Sequence, residues 1–560
     1  MIRVWLSEIQ FSDDTKIAIG KNDIVVFVGP NNTGKSASLK EAAALLQTKN
    51  NKGKVLKDIT IEKTGDENKL ISFLDSISKK NFSGNPFPHY RGFRFNIYKE
   101  NADAYWRNYE NGLSELASVF VNTLTTEERL QAANPPSSFK ITSEAPQHPI
   151  HFLQKNDTQE QKFSEYFKQA FGTDLIIHRN AGNEVPLYVG NKPIPKSGED
   201  RVSEGYLMEL EKLDLLHQQG DGMRGFVGVL LNVFISNHSI LFIDEPEAFL
   251  HPPQARLLGK MLAKDLPLER QLFLATHSED FLKGLLDADT ANLKIIRIQR
   301  DGAINKVSVL NSSDIKSIWN DSLLRHSNIL NGLFHSKVVI CESDSDCRFF
   351  SAILSSQFDD TGAIAPDILF VHCGGKHRIP VAIKALKKLN VVLKIVSDFD
   401  LLEDVNPLKE IFEGLGGIWN EVEQDWTLVK TEIERKRPEF LTVDLKKEIE
   451  NILNTTSERI FPKEKISEIK KALKKSSAWA EAKEVGKAYI PSGNATQAYE
   501  RVQLKFKEKG LFILEIGELE SFVRSIGNHG PKWVNEVLTK NLKTDSELEL
   551  ARQFVNQIIS

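Results

Sequence analysis

Cysteine is scarce in this chain: Cys341, Cys347 and Cys373 are the only three in 560 residues. Three are too few for a disulfide framework, and their spacing fits no zinc-ligand pattern, so a reducing compartment is expected. Long apolar runs are missing too. None approaches the roughly 18 residues needed to span a bilayer, and the first eight residues form no signal-peptide core. A cytoplasmic protein without a membrane partner is the expectation. Charge of one sign is also lacking. Lys and Arg number 72 against 76 Asp and Glu, a net charge of −4, so any nucleic acid must be met by local patches. No sustained heptad run appears, which excludes a long coiled-coil arm, and no internal repeat stands out.

The length is too great for one ordinary core, and two or three domains are expected. The clearest feature is Gly29-Pro30-Asn31-Asn32-Thr33-Gly34-Lys35-Ser36. It fits G-x-x-x-x-G-K-[ST], a loop whose backbone N–H groups curl around phosphate oxygens. Gly29, Asn31, Asn32 and Gly34 form the cradle. Lys35 would reach the β- and γ-phosphates of ATP, and Ser36 would coordinate Mg²⁺. Residues 23–28 before the loop read as a buried strand. Residues 36–46 after it read as a helix whose N-terminus faces the anion.

Residues 2–28 read as short strands joined by turns. Residues 48–205 read as short helices and loops, broken at Pro135-Pro136 and Pro146–Pro149. Within them, the basic and aromatic run His89–Phe95 is either a nucleic-acid contact or an ordinary strand with solvated arginines. Order returns near residue 206. An apolar helix, residues 225–235, precedes Ile240-Leu241-Phe242-Ile243-Asp244-Glu245. Such a run reads as a buried parallel strand delivering carboxylates to its C-terminal edge. Asp244 would hold Mg²⁺ and Glu245 would act as general base on the attacking water. A second apolar strand, residues 271–276, ends at His277. That histidine either contacts the γ-phosphate or is incidental to a helix-capping segment.

The order of these parts resembles the ATP-binding-cassette ATPases of the RecF and SMC branch. The resemblance implies a mixed sheet with a helical insertion at 48–205. It also implies a head-to-head dimer in which ATP is sandwiched between subunits. Gly220 and Gly222 fall at the signature position, though the family's usual Ser-Gly-Gly is absent, and residues 247–252 fall at the dimer-facing loop. No glutamine loop is found between residues 47 and 110.

A boundary is expected near residues 305–335, giving domains 1–325 and 326–560. The second half reads β-α-β-α-β. One strand ends at Glu342, one at Gly374-Gly375, and one at Asp398-Phe399-Asp400. That order implies a parallel sheet with acidic residues gathered on one edge. Hard carboxylate oxygens suit Mg²⁺ or Mn²⁺, ions that assist phosphodiester displacement.

This order resembles the Toprim domain, a Rossmann-like fold found in topoisomerases, primases and the OLD (overcoming lysogenization defect) nucleases. A cassette ATPase followed by Toprim is the OLD architecture, shared by Gabija-type and retron-associated anti-phage effectors. The resemblance implies metal binding by Glu342, Asp346, Asp398 and Asp400, with Glu520 supplying a second ion; Lys532 is either a group that stabilises the charge developing on the scissile phosphate or an ordinary solvated lysine. Residues 403–490 read as a helical insertion. Lys470, Lys471, Lys474 and Lys475 there are either a phosphate contact or a solvated face.

The expectation is therefore an α/β chain that works as an ATP-regulated, divalent-metal-dependent nuclease in anti-phage defence. Nucleic acid, DNA ahead of RNA, is its expected partner. The chain would work as a homodimer or higher oligomer, with a regulatory protein or non-coding RNA left open. The alternative is a non-cleaving ATP-gated sensor or clamp with a degenerate Toprim domain.

Overall fold

The computed structural model describes residues 2–50, 53–81, 89–142, 144–302, 304–310, 319–322, 325, 328–359, 361–388, 390–436, 441–474 and 478–560. Lys475, one of the four lysines singled out above, lies outside them. The chain divides into two compact units, Met1–Asp321 and Ser322–Ser560.

The first unit is built on a six-stranded sheet. Its spatial order is Ile304–Leu310, Leu293–Asp301, Ile24–Val28, Gln271–Ala275, Ile240–Asp244 and Val121–Leu124. All neighbours are parallel except the hairpin edge Ile304–Leu310. Ile24–Val28 lies inside the sheet and is buried at every position, as is Gln271–Ala275. Both faces of these strands are covered, which is why they read as unbroken apolar runs. A separate antiparallel sheet, Lys16–Ala18, Arg3–Phe11 and Leu56–Thr64, shares the core with the helix Lys35–Gln47.

The stretch 48–205 departs from the expected helices and loops. It holds the nine-residue strand Leu56–Thr64, the hairpin His89–Gly92/Phe95–Tyr98 and the pair Asp174–Ile177/Leu187–Gly190. Val121–Leu124 from the same stretch is an edge strand of the main sheet, so the stretch is not a single inserted lobe. The run His89–Phe95 forms the strand His89–Gly92 and the turn into Phe95–Tyr98, and Arg94 in that turn donates to Asn122 Oδ1 and pairs with Glu128 at 3.2 Å. The apolar helix begins earlier than expected, at Asp221. It runs to Leu230 and widens into a π-turn over Leu231–Ile235.

The second unit centres on a four-stranded parallel sheet, ordered Ile368–His372, Lys337–Cys341, Val392–Ser397 and Leu511–Ile513. Phe349, Phe350 and Trp533 anchor the core on one side. Between the third and fourth strands run helices that include Val405–Gly414, Glu423–Arg435, Thr442–Asn454, Lys463–Lys474, Ala478–Val485 and Asn494–Glu508. The helical stretch therefore reaches past residue 490. Among the described residues, no helix is long and apolar enough to cross a membrane.

Candidate functional site

In the first unit, the strand Ile24–Val28 runs straight into the phosphate loop. Gly29 has φ 143° and Gly34 φ 98°. A Cβ on Gly29 would lie 2.1 Å from the Ile298 carbonyl oxygen, and one on Gly34 would lie 2.6 Å from Val55 Cγ2. Both positions need glycine for conformation and for space. Asn32, at φ 61°, is a third left-handed residue in the loop. Lys35 is buried, and its ammonium donates to the carbonyls of Gly29 at 2.8 Å and Pro30 at 2.7 Å. Ser36 Oγ donates to Asp244 Oδ1 at 3.0 Å, so two widely separated segments meet at one point.

Asp244 ends its strand and Glu245 turns away at φ 48°. The Glu245 N–H donates to Ala275 O at 2.8 Å, and its carbonyl accepts from Arg129 Nη1 at 2.6 Å. Its carboxylate stays about half exposed, 3.8 Å from His277 Nε2. Burial, then the neighbouring Lys35, lowers the His277 pKa, which favours neutral imidazole at neutral pH. Ser278, not His277, caps the following helix Glu279–Asp287. Gly220 is the N-cap of Asp221–Leu230, and a Cβ on Gly222 would lie 2.8 Å from the Phe249 carbonyl. Gly222 thus sits against the loop that follows Glu245, whereas a Cβ on Gly220 would meet nothing within 4 Å. Phe249, exposed there at φ 69°, is the outward tip of that loop.

The second unit gathers its acidic residues at the C-terminal edge of its parallel sheet. Glu342, Asp398 and Asp400 each offer a carboxylate oxygen, all within 4.8 Å of one another. Glu342 Oε1 accepts from Ser397 Oγ and, at 3.1 Å, from the Asp398 N–H. Burial and the adjacent Glu342 push the Asp398 carboxyl well above the usual range. Burial also opposes the charge on Asp400, but Lys483 and Lys376 outweigh it and hold that carboxyl below its ordinary value. A second group, Glu518, Glu520 and His529, also brings its ligand atoms within 4.8 Å. Glu520 Oε1 there accepts from the Gly530 N–H at 2.7 Å.

Asp346 is not one of the three convergent carboxylates, but it stands near enough to Glu342, Asp398 and Glu520 for their charges to repel, and it closes a capping box: its carboxylate accepts from the Ser343 N–H at 2.8 Å and from Ser343 Oγ at 3.0 Å. Burial pushes it up to about 6. Lys532 is exposed on the first turn of Pro531–Val537, because Trp533 and Val534 take the buried positions. The ammonium groups at the triad belong instead to Lys376, 3.0 Å from Asp400 Oδ2, and to Lys483, on the helix Ala478–Val485, 2.8 Å from Asp398 Oδ2.

Residues 24–282 match the family model described as "AAA domain, putative AbiEii toxin, Type IV TA system". This stretch is an AAA-type ATPase domain. No curated protein matches the chain. Among solved structures, an SMC head bound to the C-winged helix domain of ScpA is 12% identical with TM-score 0.35, covering 56% of this chain and 100% of its own. An SMC head domain from Thermotoga maritima is 11% identical with TM-score 0.27, covering 55% and 99%. An SMC head with an extended coiled coil from Pyrococcus furiosus, bound to the C-terminal domain of ScpA, is 11% identical with TM-score 0.31, covering 57% and 98%.

The ATPase domain contains one polar residue that no sequence pattern singled out, Arg129, and a second, Glu247, that the sequence placed only in the dimer-facing loop. Arg129 is buried, and it ties the helix Thr126–Gln131 to the Glu245 carbonyl. Glu247 Oε1 accepts from Thr276 Oγ1 at 2.6 Å and from the His277 N–H at 3.3 Å, while its Oε2 has no hydrogen-bond partner. Burial pushes the Glu247 carboxyl up to about 7, against the lowering effect of those hydrogen bonds. A raised carboxyl pKa means that ionisation is easier in the unfolded chain. The stability contribution is complete below about 4.5 and is lost as pH climbs through about 7. Glu247→Gln in the ATPase domain is therefore expected to raise Tm by a few degrees at pH 8.5 and hardly at all near pH 4.5. Calorimetry across that range checks it, and a pH-independent shift would refute it.

Proposed function

We propose that the chain is an ATP-regulated, divalent-metal-dependent nuclease of the OLD type, acting on nucleic-acid phosphodiesters in anti-phage defence. One observation carries this: three carboxylates from two neighbouring parallel strands converge at one sheet edge, in a chain whose other unit holds an ATPase domain. The words of the matching family, a toxin of a type IV system, are compatible with a defensive role. On this reading the second unit is a Toprim domain, and the cell compartment is the cytoplasm.

The donor sets fit the groups they would take. Gly29 and Gly34 leave no room for side chains along the loop, as phosphate access demands. Lys35 and Ser36 would hold the phosphates and Mg²⁺ of ATP, with Asp244 behind Ser36. Glu245 would take the proton of the attacking water, with His277 facing it. Glu342, Asp398 and Asp400 offer only oxygen ligands, the chemistry that Mg²⁺ or Mn²⁺ prefers. Such an ion, once bound, offsets charge developing on phosphate oxygens. Glu518 and Glu520 would serve a second ion, with His529 beside them. The ATPase heads would pair on ATP binding, with Gly220 and Gly222 of one copy closing on the nucleotide of the other.

A second reading keeps the ATPase and drops cleavage: an ATP-gated nucleic-acid clamp. It is favoured by Lys376 and Lys483, whose ammonium groups already neutralise part of the acidic triad. Incubating the purified chain with duplex DNA, single-stranded DNA and RNA separates the two, with Mg²⁺ or Mn²⁺ and with or without ATP. Metal-dependent strand cleavage of at least one substrate is expected. Binding without cleavage across the whole panel would establish the clamp instead.

A further inference from the structure

Two members of the triad, Asp398 and Asp400, are bridged by one amine. Lys483 Nζ lies 2.8 Å from Asp398 Oδ2 and 3.3 Å from Asp400 Oδ1. Lys376 is arranged differently. Its Nζ bonds the side-chain Oδ2 and the main-chain oxygen of Asp400 alone, each at 3.0 Å. Lys376 therefore braces one residue, while Lys483 spans the pair.

The backbone under Lys483 is fixed by two close glycine contacts. Gly517 has φ 110°, and a Cβ there would lie 2.1 Å from the Lys483 carbonyl oxygen. Gly486, at φ 68°, would place a Cβ 2.2 Å from the Glu515 carbonyl oxygen. The Lys487 N–H also donates to Glu515 O at 2.8 Å, and the Phe399 N–H donates to Gly517 O at 2.8 Å. The helix carrying Lys483, the loop 515–517 and the Asp398–Asp400 segment are thus hydrogen-bonded and packed as one piece. The ammonium is the movable part of it. It stands on a flexible four-carbon stem and is about one-third exposed.

We propose that Lys483 is a tethered counter-ion for the acidic triad, holding Asp398 and Asp400 in place until a divalent ion enters and displaces it. This rests on reading the triad as a metal site. Three carboxylates this close repel one another, and two ammonium groups in contact with them lower that cost. A divalent ion using the same oxygens meets a like charge at contact range, so the amine and the ion compete. Lys483 is then a positioning residue that sets the ion concentration at which the site fills. The released ammonium stays attached to the same edge, within reach of an anionic substrate.

The test measures binding, not cleavage. Mn²⁺ titrated calorimetrically into full-length Lys483→Met is expected to bind about tenfold more tightly than into the unaltered chain, since the competing charge is gone. Equal or weaker Mn²⁺ binding by folded Lys483→Met would overturn the proposal. Should Lys483→Met fail to fold, the unaltered chain supplies the answer. Lysine acylation read by mass spectrometry should rise several-fold at Lys483 when Mg²⁺ is added. Unchanged Lys483 labelling at Mg²⁺ concentrations that saturate the site would overturn the proposal. Failure of the metal reading looks different: Mn²⁺ would then bind the unaltered chain and Asp398→Asn alike, or neither.

Discussion

Asp398→Ala is expected to stop nucleic-acid cleavage, by a factor of about 10³ or more, while ATP turnover stays within about twofold of the unaltered chain. Asp398 shares the triad with Glu342 and Asp400, all three ligand atoms lying within 4.8 Å of one another. Its N–H is held by Glu342 Oε1 and its carboxylate by Lys483. Removing the carboxylate leaves the site two of its three convergent carboxylates. The loss should not come from unfolding. Burial and Glu342 raise the Asp398 carboxyl, so its ionisation opposes folding at neutral pH. Asp398→Asn is accordingly expected to melt no lower than the unaltered chain at pH 8 and yet to cut nothing. Cleavage that persists in either variant would remove the triad from the chemistry.

Lys35→Ala is expected to weaken ATP binding by more than about 100-fold and to abolish turnover. The Lys35 ammonium is buried and is held by the Gly29 and Pro30 carbonyls, so it is already oriented within the loop. Glu245→Gln should separate binding from hydrolysis: ATP affinity kept, turnover lowered by about 10² or more, and the ATP-bound form accumulating. Light scattering with ATP should then show a larger share of dimer than in the unaltered chain. Unchanged turnover in Glu245→Gln would refute its role as the base, and no dimer under any nucleotide would refute the paired heads.

The strand ends at Asp244 and Glu342 are legible because buried parallel strands read as apolar runs, and each run stops where the polar residue begins; the strand before Asp398, Val392–Ser397, is interrupted by Lys394 but ends the same way. Glycine spacing marks the phosphate loop because only glycine tolerates φ 143° beside the Ile298 carbonyl. Legibility fails where elements are short or mixed. Val121-Asn122-Thr123-Leu124 has two polar residues in four, and only its parallel pairing with Ile240–Ile243 makes it a strand. Leu56–Thr64 alternates buried and more exposed positions over part of its length, a period-two signal obscured by its Lys, Asp and Glu residues. Arg129 and Lys483 carry no motif at all. Each is one charged residue on a helix, and tertiary packing alone brings it to a carbonyl or a carboxylate pair. Lys532 illustrates the converse: a neighbouring Trp-Val pair turns its face outward.

The strand order of the first unit also bears on how the chain is made. Ile24–Val28 leaves the ribosome well ahead of both of its sheet neighbours, since Gln271–Ala275 and Leu293–Asp301 are synthesised some 240 residues or more later. At about 5–20 residues per second, a fully apolar strand waits upwards of ten seconds for a partner. Long-range pairing of this kind is slow and leaves sticky surface uncovered in the interval. A nascent chain cut anywhere before residue 271 therefore has no route to a finished sheet, and folding of the unit is tied to translation of its last third.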